Sequence, residues 1–182
     1  MATGKNLSRV VIEGAQIRFR NFSGIEGKFN AAGDRNFAVL IDPDQAQDML
    51  DDGWNIKQLQ PRDEGDAPQD YLKVTVKYPK EEGRRPPRIV LVTSRGKTTL
   101  GEEDINILDW ADIRDVDLIV RPYAWDINGK TGISAYLYSI FVTINEDELD
   151  LKYADVPETG NSVPDSAQNS PVRFEPLDDD DF

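Results

Sequence analysis

Alternation of apolar and polar residues marks several segments of the chain as β-strands. In residues 71–78 (YLKVTVKY), Leu72, Val74 and Val76 share one face, whereas Tyr71 and Lys73 lie on the other. Similar but less regular patterns occur in residues 10–20, 36–41, 54–60, 88–95, 116–125 and 132–144. We therefore expect five to seven strands, most of them with one face toward a core.

Helix signals are few. Asp42 and Pro43 form a favourable helix start, Gly53 a favourable stop, and residues 102–113 are compatible with a second short helix. Asn128-Gly129 lies between the two strongest strand segments and predicts a tight hairpin. Regular strands with little helix between them predict an all-β fold. We favour an OB-fold, the five-stranded Greek-key barrel, with extra strands and one or two short helices.

The composition excludes several chemistries. The 182 residues contain no Cys and no His, so disulfides, Cys/His zinc sites and His-dependent catalytic units are excluded. No phosphate-binding loop, dinucleotide-binding or HExxH motif is present, so we expect no cofactor, no metal and no enzymatic activity. The longest nearly apolar stretch, residues 136–144, is far shorter than the roughly 20 residues that span a bilayer. We expect an intracellular protein that does not associate with membranes.

Charge is distributed unevenly along the chain, whose net charge is −13. Residues 154–182 contain eight acidic residues, one basic residue and four prolines, and they show no apolar periodicity. This composition predicts a disordered acidic C-terminal tail, which follows a domain formed by residues 1–153. By contrast, residues 1–41 carry +3 and residues 73–97 carry +6. These basic stretches fall on predicted strands, and a bound phosphate responds to such local charge because salt screens more distant groups.

Basic residues alternate with aromatic residues on several predicted strands. Tyr71, Lys73 and Lys77 share a face, and Arg18 and Arg20 are expected on one face opposite Phe19. Flat rings beside cations are what single-stranded nucleic acid requires, because every base can stack on a ring and cations follow the phosphates. The candidate nucleic-acid-binding residues are Arg18, Arg20, Lys28, Phe29, Arg35, Tyr71, Lys73, Lys77, Arg84, Arg85, Arg88, Arg121, Tyr123, Trp125, Lys130 and Tyr138.

The last five residues form a distinct acidic and aromatic motif. A tail that serves only solubility does not need an aromatic ring at its last position, so we interpret the motif as a linear recognition segment whose carboxylates pair with Lys or Arg while the ring fills an apolar pocket. Its residues are Asp178, Asp179, Asp180, Asp181 and Phe182.

The tail and three body segments carry a resemblance to a known family. The acidic C-terminus ending in DDDDF is similar to that of bacterial and bacteriophage single-stranded-DNA-binding proteins, although Asp181 replaces the Pro that precedes the final Phe in bacterial members. VVIEGAQIRFRNFSG, RNFAVLID and RPYAWDINGKTGISAYLYSIFVTI resemble the phage members with an OB-fold. The resemblance implies sequence-independent binding of single-stranded DNA in phage replication, recombination and repair, in the cytoplasm of the infected bacterium. It also implies that the tail recruits a DNA polymerase, a helicase–primase or recombinases.

Other interpretations of the sequence remain open. Acidic residues between positions 109 and 117 are compatible with a metal-dependent nuclease, the net charge with an acidic DNA mimic, and the size with a virion or scaffold component. Homodimer formation and the choice between DNA and RNA are not decided by the sequence. We also expect the tail carboxylates to compete with DNA for the basic groove as phosphate mimics.

Overall fold

The computed structural model describes residues 7–153 and 155–157. The chain divides into two units, Met1–Asp147 and Glu148–Phe182. The described part of the first unit has a helix α1 (Pro43–Asp52), a 3₁₀ helix (Ile105–Asp109) and nine strands. The strands are β1 (Val10–Ile12), β2 (Ile17–Asn21), β3 (Arg35–Leu40), β4 (Ile56–Leu59), β5 (Gln69–Val76), β6 (Arg88–Thr93), β7 (Gly96–Leu100), β8 (Ile113–Ile127) and β9 (Lys130–Ile144).

The strands form a barrel. The hydrogen-bonded order is β1-β8-β9-β5-β3-β2, and β9 runs parallel to β5 whereas the other pairs in this order are antiparallel. The two end strands, β1 and β2, are consecutive in the chain, and between them the Ala15 N–H donates to the carbonyl of Val116. β1 and β2 therefore act as one bent strand that connects the two ends of the sheet. Counted in this way, five strands surround the barrel: β1–β2, β3, β5, β9 and β8. The prediction of an all-β fold with extra strands and one or two short helices is confirmed.

The barrel interior holds the apolar faces that the alternation predicted. Leu72 and Val74 of β5 are fully buried, as are Phe37 and Val39 of β3, which lie directly opposite them. The rings of Phe22 and Phe37 stack with centroids 5.1 Å apart. Burying one such side chain stabilises the fold by roughly 1.5–3 kcal/mol. The opposite face of β3 and β5 is consequently turned outward.

Two local signals gave the expected geometry. Pro43 opens α1, and Gly53 ends it in a left-handed conformation (φ 98°) with its N–H bonded to the Leu50 carbonyl. Asn128 and Gly129 both have positive φ and join β8 to β9, as the two-residue hairpin turn requires. No helix in the part of the chain that the structure describes is long and apolar enough to cross a membrane.

Three sequence-based assignments differ from the structure. Residues 10–20 form two strands, because the chain bends at Gly14, whose N–H donates to the Asp117 carboxylate. Residues 96–100 form β7, an exposed polar strand without the alternation that would have revealed it. Of residues 102–113, predicted as a short helix, only Ile105–Asp109 is helical, as a 3₁₀ helix, and Ile113 already begins β8.

The second unit begins with a short helix α2 (Glu148–Lys152), in which the Tyr153 N–H donates to the Leu149 carbonyl. The acidic tail motif lies outside the described residues, and the predicted domain boundary after Tyr153 stays a prediction.

Candidate nucleic-acid interface

The outward face of β5 carries the predicted aromatic and basic residues. Tyr71 and Lys73 line a groove of about 560 Å³ together with Phe19, Phe29 and Lys57. Ala38 lies directly opposite Lys73, and Lys57 directly opposite Tyr71, so β3, β5 and β4 together form the groove floor. We call the groove lined by Phe19, Phe29, Lys57, Tyr71 and Lys73 the aromatic groove.

A bulge in β2 places Phe19 in this groove. The pairing of β2 with β3 shifts between Arg18 and Asn21, and Phe19 adopts a positive φ of 51°. Its side chain is 66% exposed, whereas Arg20 turns the other way and its guanidinium donates to the carbonyls of Leu108 and Ala111 at 3.0 and 2.7 Å. Arg18 and Arg20 both line a separate groove on the other side of β2 from Phe19, in agreement with the predicted alternation.

A second groove, of about 250 Å³, lies beyond the other end of β5. We call it the arginine groove, and it is lined by Lys77, Arg84, Arg85, Arg121 and Tyr138 together with Pro86, Pro87 and Leu137. Arg85 donates a hydrogen bond to the Tyr138 hydroxyl, and its guanidinium lies 4.3 Å from the centre of that ring. The Arg9 guanidinium lies 3.9 Å from the same ring. Tyr138 is thus held between its neighbours by cation–π contacts.

The β8–β9 hairpin adds a cluster of aromatic residues beside the arginine groove. Tyr136 lies opposite Arg121 in the sheet, with the guanidinium 4.9 Å from its ring centre and Lys77 Nζ 5.9 Å from it. The rings of Tyr123 and Tyr136 are 5.0 Å apart. Further along the hairpin, Trp125 is half-buried, and its indole lies close to Gly132, the residue directly opposite it in the sheet. A Cβ atom on Gly132 would stand 2.5 Å from Trp125 Cζ2.

Both grooves are positively charged on a protein whose net charge is −13. Two lysines line the aromatic groove and four cations line the arginine groove, with no carboxylate among the described residues that line either one. Lys73 lines the aromatic groove and Lys77 the arginine groove, and the two positions are about 13 Å apart along the chain at the usual rise per residue of a strand. The two grooves are therefore neighbouring sections of one cationic surface.

Several predicted residues lie elsewhere. Arg35 projects from the core-facing side of β3, where it pairs with Glu102 at 2.7 Å and lies 5.2 Å from the Tyr78 ring. Burial raises the pKa of the Tyr78 phenol above its ordinary value. Arg88 lies over Phe141, at 5.3 Å from its ring centre. The structure thus separates Arg20, Arg35 and Arg88 from the two grooves.

The loop and hairpin residues that were predicted are exposed. Phe29 is 87% exposed on the β2–β3 loop, with Lys28 Nζ 5.4 Å from its ring centre, and Lys130 follows the hairpin turn. Sequence reasoning did not assign Phe19, Lys57 or Arg9 to the site. The alternation of the last strand indicates Tyr136 together with Tyr138, whereas Phe19 reaches the groove only through the bulge.

The four Asp residues that suggested a metal-dependent nuclease have separate structural partners. Asp109 accepts hydrogen bonds from the backbone of Phe22 and Ser23, Asp112 from Asn145, and Asp117 from Gly14. Asp115 pairs with Arg114. Among the residues described, no group of three or more Asp or Glu is arranged to hold a metal ion.

Comparisons with known proteins agree with this geometry. Residues 2–180 match the family model described as "Putative phage ssDNA-binding domain". No curated protein sequence matches the chain.

Solved structures that resemble the chain include two from bacteriophages. One is the single-stranded DNA-binding protein from bacteriophage Enc34 in complex with ssDNA, with 12% identity and a TM-score of 0.48 over 76% of this chain and 88% of that one. Another is gp2.5, a single-stranded DNA binding protein encoded by bacteriophage T7, with 15% identity and a TM-score of 0.39 over 86% and 98% of the two chains.

Proposed function

The chain belongs to the family of phage single-stranded-DNA-binding domains, and we propose that it binds single-stranded DNA along the aromatic and arginine grooves without regard to sequence. The observation that carries this proposal is the pairing of exposed rings with cations in two grooves whose described lining residues include no carboxylate, on the surface of a strongly acidic protein. Charge alone would repel a polyanion, so the local surface must supply the attraction.

The aromatic groove supplies stacking. Phe19, Phe29 and Tyr71 offer ring faces to bases, and each stacked base contributes roughly 1–3 kcal/mol whatever its identity. Lys57 and Lys73 lie beside these rings, where they can meet the phosphates that connect stacked bases. Recognition by ring faces and phosphates reads no base edges, which is why we expect no sequence preference.

The arginine groove supplies electrostatic attraction. Four cations converge there, and Arg85 and Arg121 are already oriented by Tyr138 and Tyr136. Each phosphate contact lowers the slope of log K against log salt by about 0.7 for a single strand. Affinity should therefore fall steeply as salt rises. Binding of this kind needs no catalytic group, and we propose that the protein acts by binding and protection.

The biological setting and the tail form the finer part of the proposal. We propose that the protein coats single strands during phage DNA replication, recombination and repair in the cytoplasm of the infected bacterium. The acidic end, residues 178–182, would recruit a DNA polymerase, a helicase–primase or a recombinase. The same carboxylates would compete with DNA phosphates for the cationic grooves. The support is the sequence motif and the charge contrast between the tail and the grooves.

Fluorescence titration with oligodeoxythymidine over a range of salt concentrations tests the binding itself. Quenching with a steep salt dependence is expected. Lys73→Gln should reduce the salt slope by about 0.7, whereas the matched control Lys97→Gln, on the exposed strand β7, should leave it unchanged. Absence of binding by the intact chain in dilute buffer would refute the proposal.

Two tail variants separate its two roles. Replacing Asp178–Asp181 by Asn while keeping Phe182 should tighten DNA binding at low salt, because the competing charge is lost. Phe182→Ala should leave DNA affinity unchanged but weaken binding to a purified phage DNA polymerase or helicase–primase. Unchanged DNA affinity in the Asn variant would rule out competition.

A further inference from the structure

A third groove lies across β2 from the aromatic groove. It has a volume of about 380 Å³ and is lined by Arg18, Arg20, Trp110 and Arg114 together with Gln16 and one carboxylate, Asp112. We call it the tryptophan groove. Arg18 and Arg20 are candidate DNA-binding residues from the sequence, whereas Trp110 and Arg114 are not, and the two-groove surface includes none of the four.

Trp110 is unusual because its backbone is fixed while its ring is exposed. The Arg20 guanidinium donates to the carbonyls of Leu108 and Ala111, on either side of Trp110. The preceding residue, Asp109, accepts hydrogen bonds from the backbone of the β2–β3 loop at Ser23. The Trp110 side chain nevertheless is 72% exposed, whereas Trp54 is 5% exposed in the core. The fold thus holds an indole ring in solvent at a fixed place.

The tryptophan groove adjoins the aromatic groove. Arg18 lines it, and Arg18 lies directly opposite Ala38, which lines the aromatic groove. The next residue in β2, Phe19, projects into the aromatic groove. A chain that leaves the aromatic groove past Phe19 therefore meets Arg18 first and Trp110 beyond it.

The charges favour a polyanion here. Three arginines line the groove against one aspartate. Arg20 is committed to backbone carbonyls and Arg114 pairs with Asp115 at 2.9 Å, an exposed pair that a phosphate can displace. Asp112 is engaged by the Asn145 side chain. Arg18 is exposed, and the hydrogen bond described for its guanidinium is the one that it donates to the carbonyl of the preceding residue, Ile17.

From these observations we infer that the tryptophan groove is a third section of the DNA-binding track, in which a base stacks on Trp110 and phosphates contact Arg18 and Arg114. This inference rests on the proposed function. It means that a strand too short to reach past Phe19 uses two sections, whereas a longer strand uses three.

A length series tests the inference. The intact protein and its variants are titrated with deoxythymidine oligomers of about 4 to 16 nucleotides, the range of site sizes of OB-type folds. Trp110→Ala should match the wild-type protein for short oligomers and lose about 5- to 150-fold in affinity for long ones. Trp110→Phe should recover most of the loss, and Val11→Ala, an exposed apolar residue of β1 outside the grooves, serves as the matched control.

A salt titration gives a second readout that does not depend on the ring. Arg114→Gln should reduce the salt slope by about 0.7 for long oligomers only. The inference is overturned if Trp110→Ala follows the wild-type protein at every length, as it would if the groove served a protein partner. It is also overturned if Trp110→Ala loses affinity equally at all lengths, which is the result expected of a purely structural role. If the wild-type protein binds no oligomer at all, the proposed function itself has failed.

Discussion

Replacing Phe19 by Gly should separate DNA binding from folding. Phe19 has a positive φ, which costs a side-chain-bearing residue roughly 1–2 kcal/mol, and Gly removes that strain. Gly also gives the unfolded chain more freedom, which costs about 0.5–1 kcal/mol. About a third of the ring is buried. That fraction of a phenylalanine surface contributes roughly 1–2 kcal/mol. The three effects nearly cancel, so the free energy of unfolding should fall by only about 1 kcal/mol.

The DNA affinity of the same variant should change far more. Loss of one stacking ring should weaken binding of any single strand by about 5- to 150-fold. Denaturant unfolding followed by tryptophan fluorescence measures the stability, and oligodeoxythymidine titration measures the affinity. Phe37→Ala provides the contrast, because Phe37 is fully buried and its loss should cost about 3–5 kcal/mol. A Phe19→Gly protein that binds DNA as the wild type does, or that loses 3 kcal/mol or more of stability, would refute the assignment of Phe19 to the groove.

Three further predictions follow from the site. Arg35→Ala should lower the stability measured by urea unfolding, because it removes the ion pair with Glu102 and the cation beside Tyr78. Its oligonucleotide affinity should stay within about twofold of the wild-type value, and a large affinity loss in a folded protein would place Arg35 in the interface. Gly132→Ala should displace the Trp125 indole, seen as a shift of tryptophan emission, and an unchanged spectrum would contradict the close packing. Arg121→Gln should reduce the salt slope by about 0.7, and an unchanged slope would remove Arg121 from the phosphate contacts.

The sequence predicted those parts of the fold that depend on local patterns. The strand predicted over residues 71–78 corresponds to β5 (Gln69–Val76), and its two faces were identified because one of them is buried, so that the alternation reflects the fold directly. The hairpin at Asn128-Gly129 and the start and end of α1 depend on backbone preferences of single residues and were equally visible.

Long-range pairing decided the parts that the sequence did not reveal. The residues of β2 alternate in type, so the bulge that exposes Phe19 and turns Arg20 inward is not visible in them. Arg35 is the first residue of β3, and successive side chains of a strand point to opposite faces. A register different by one residue would place Arg35 on the outer face, whereas the actual register directs it to the ion pair with Glu102. Trp110 was missed because an isolated tryptophan in an irregular segment is usually a core residue.

The guanidinium groups that lie over Tyr136 and Tyr138 would affect how single-stranded DNA associates and dissociates. A nucleobase that stacks on either ring would have to replace the arginine guanidinium that lies over it, so each stacking step would be an exchange with only a small net gain in binding free energy. If DNA binds as proposed, many such exchanges would hold a long strand firmly along its length and would still allow it to dissociate one nucleotide at a time.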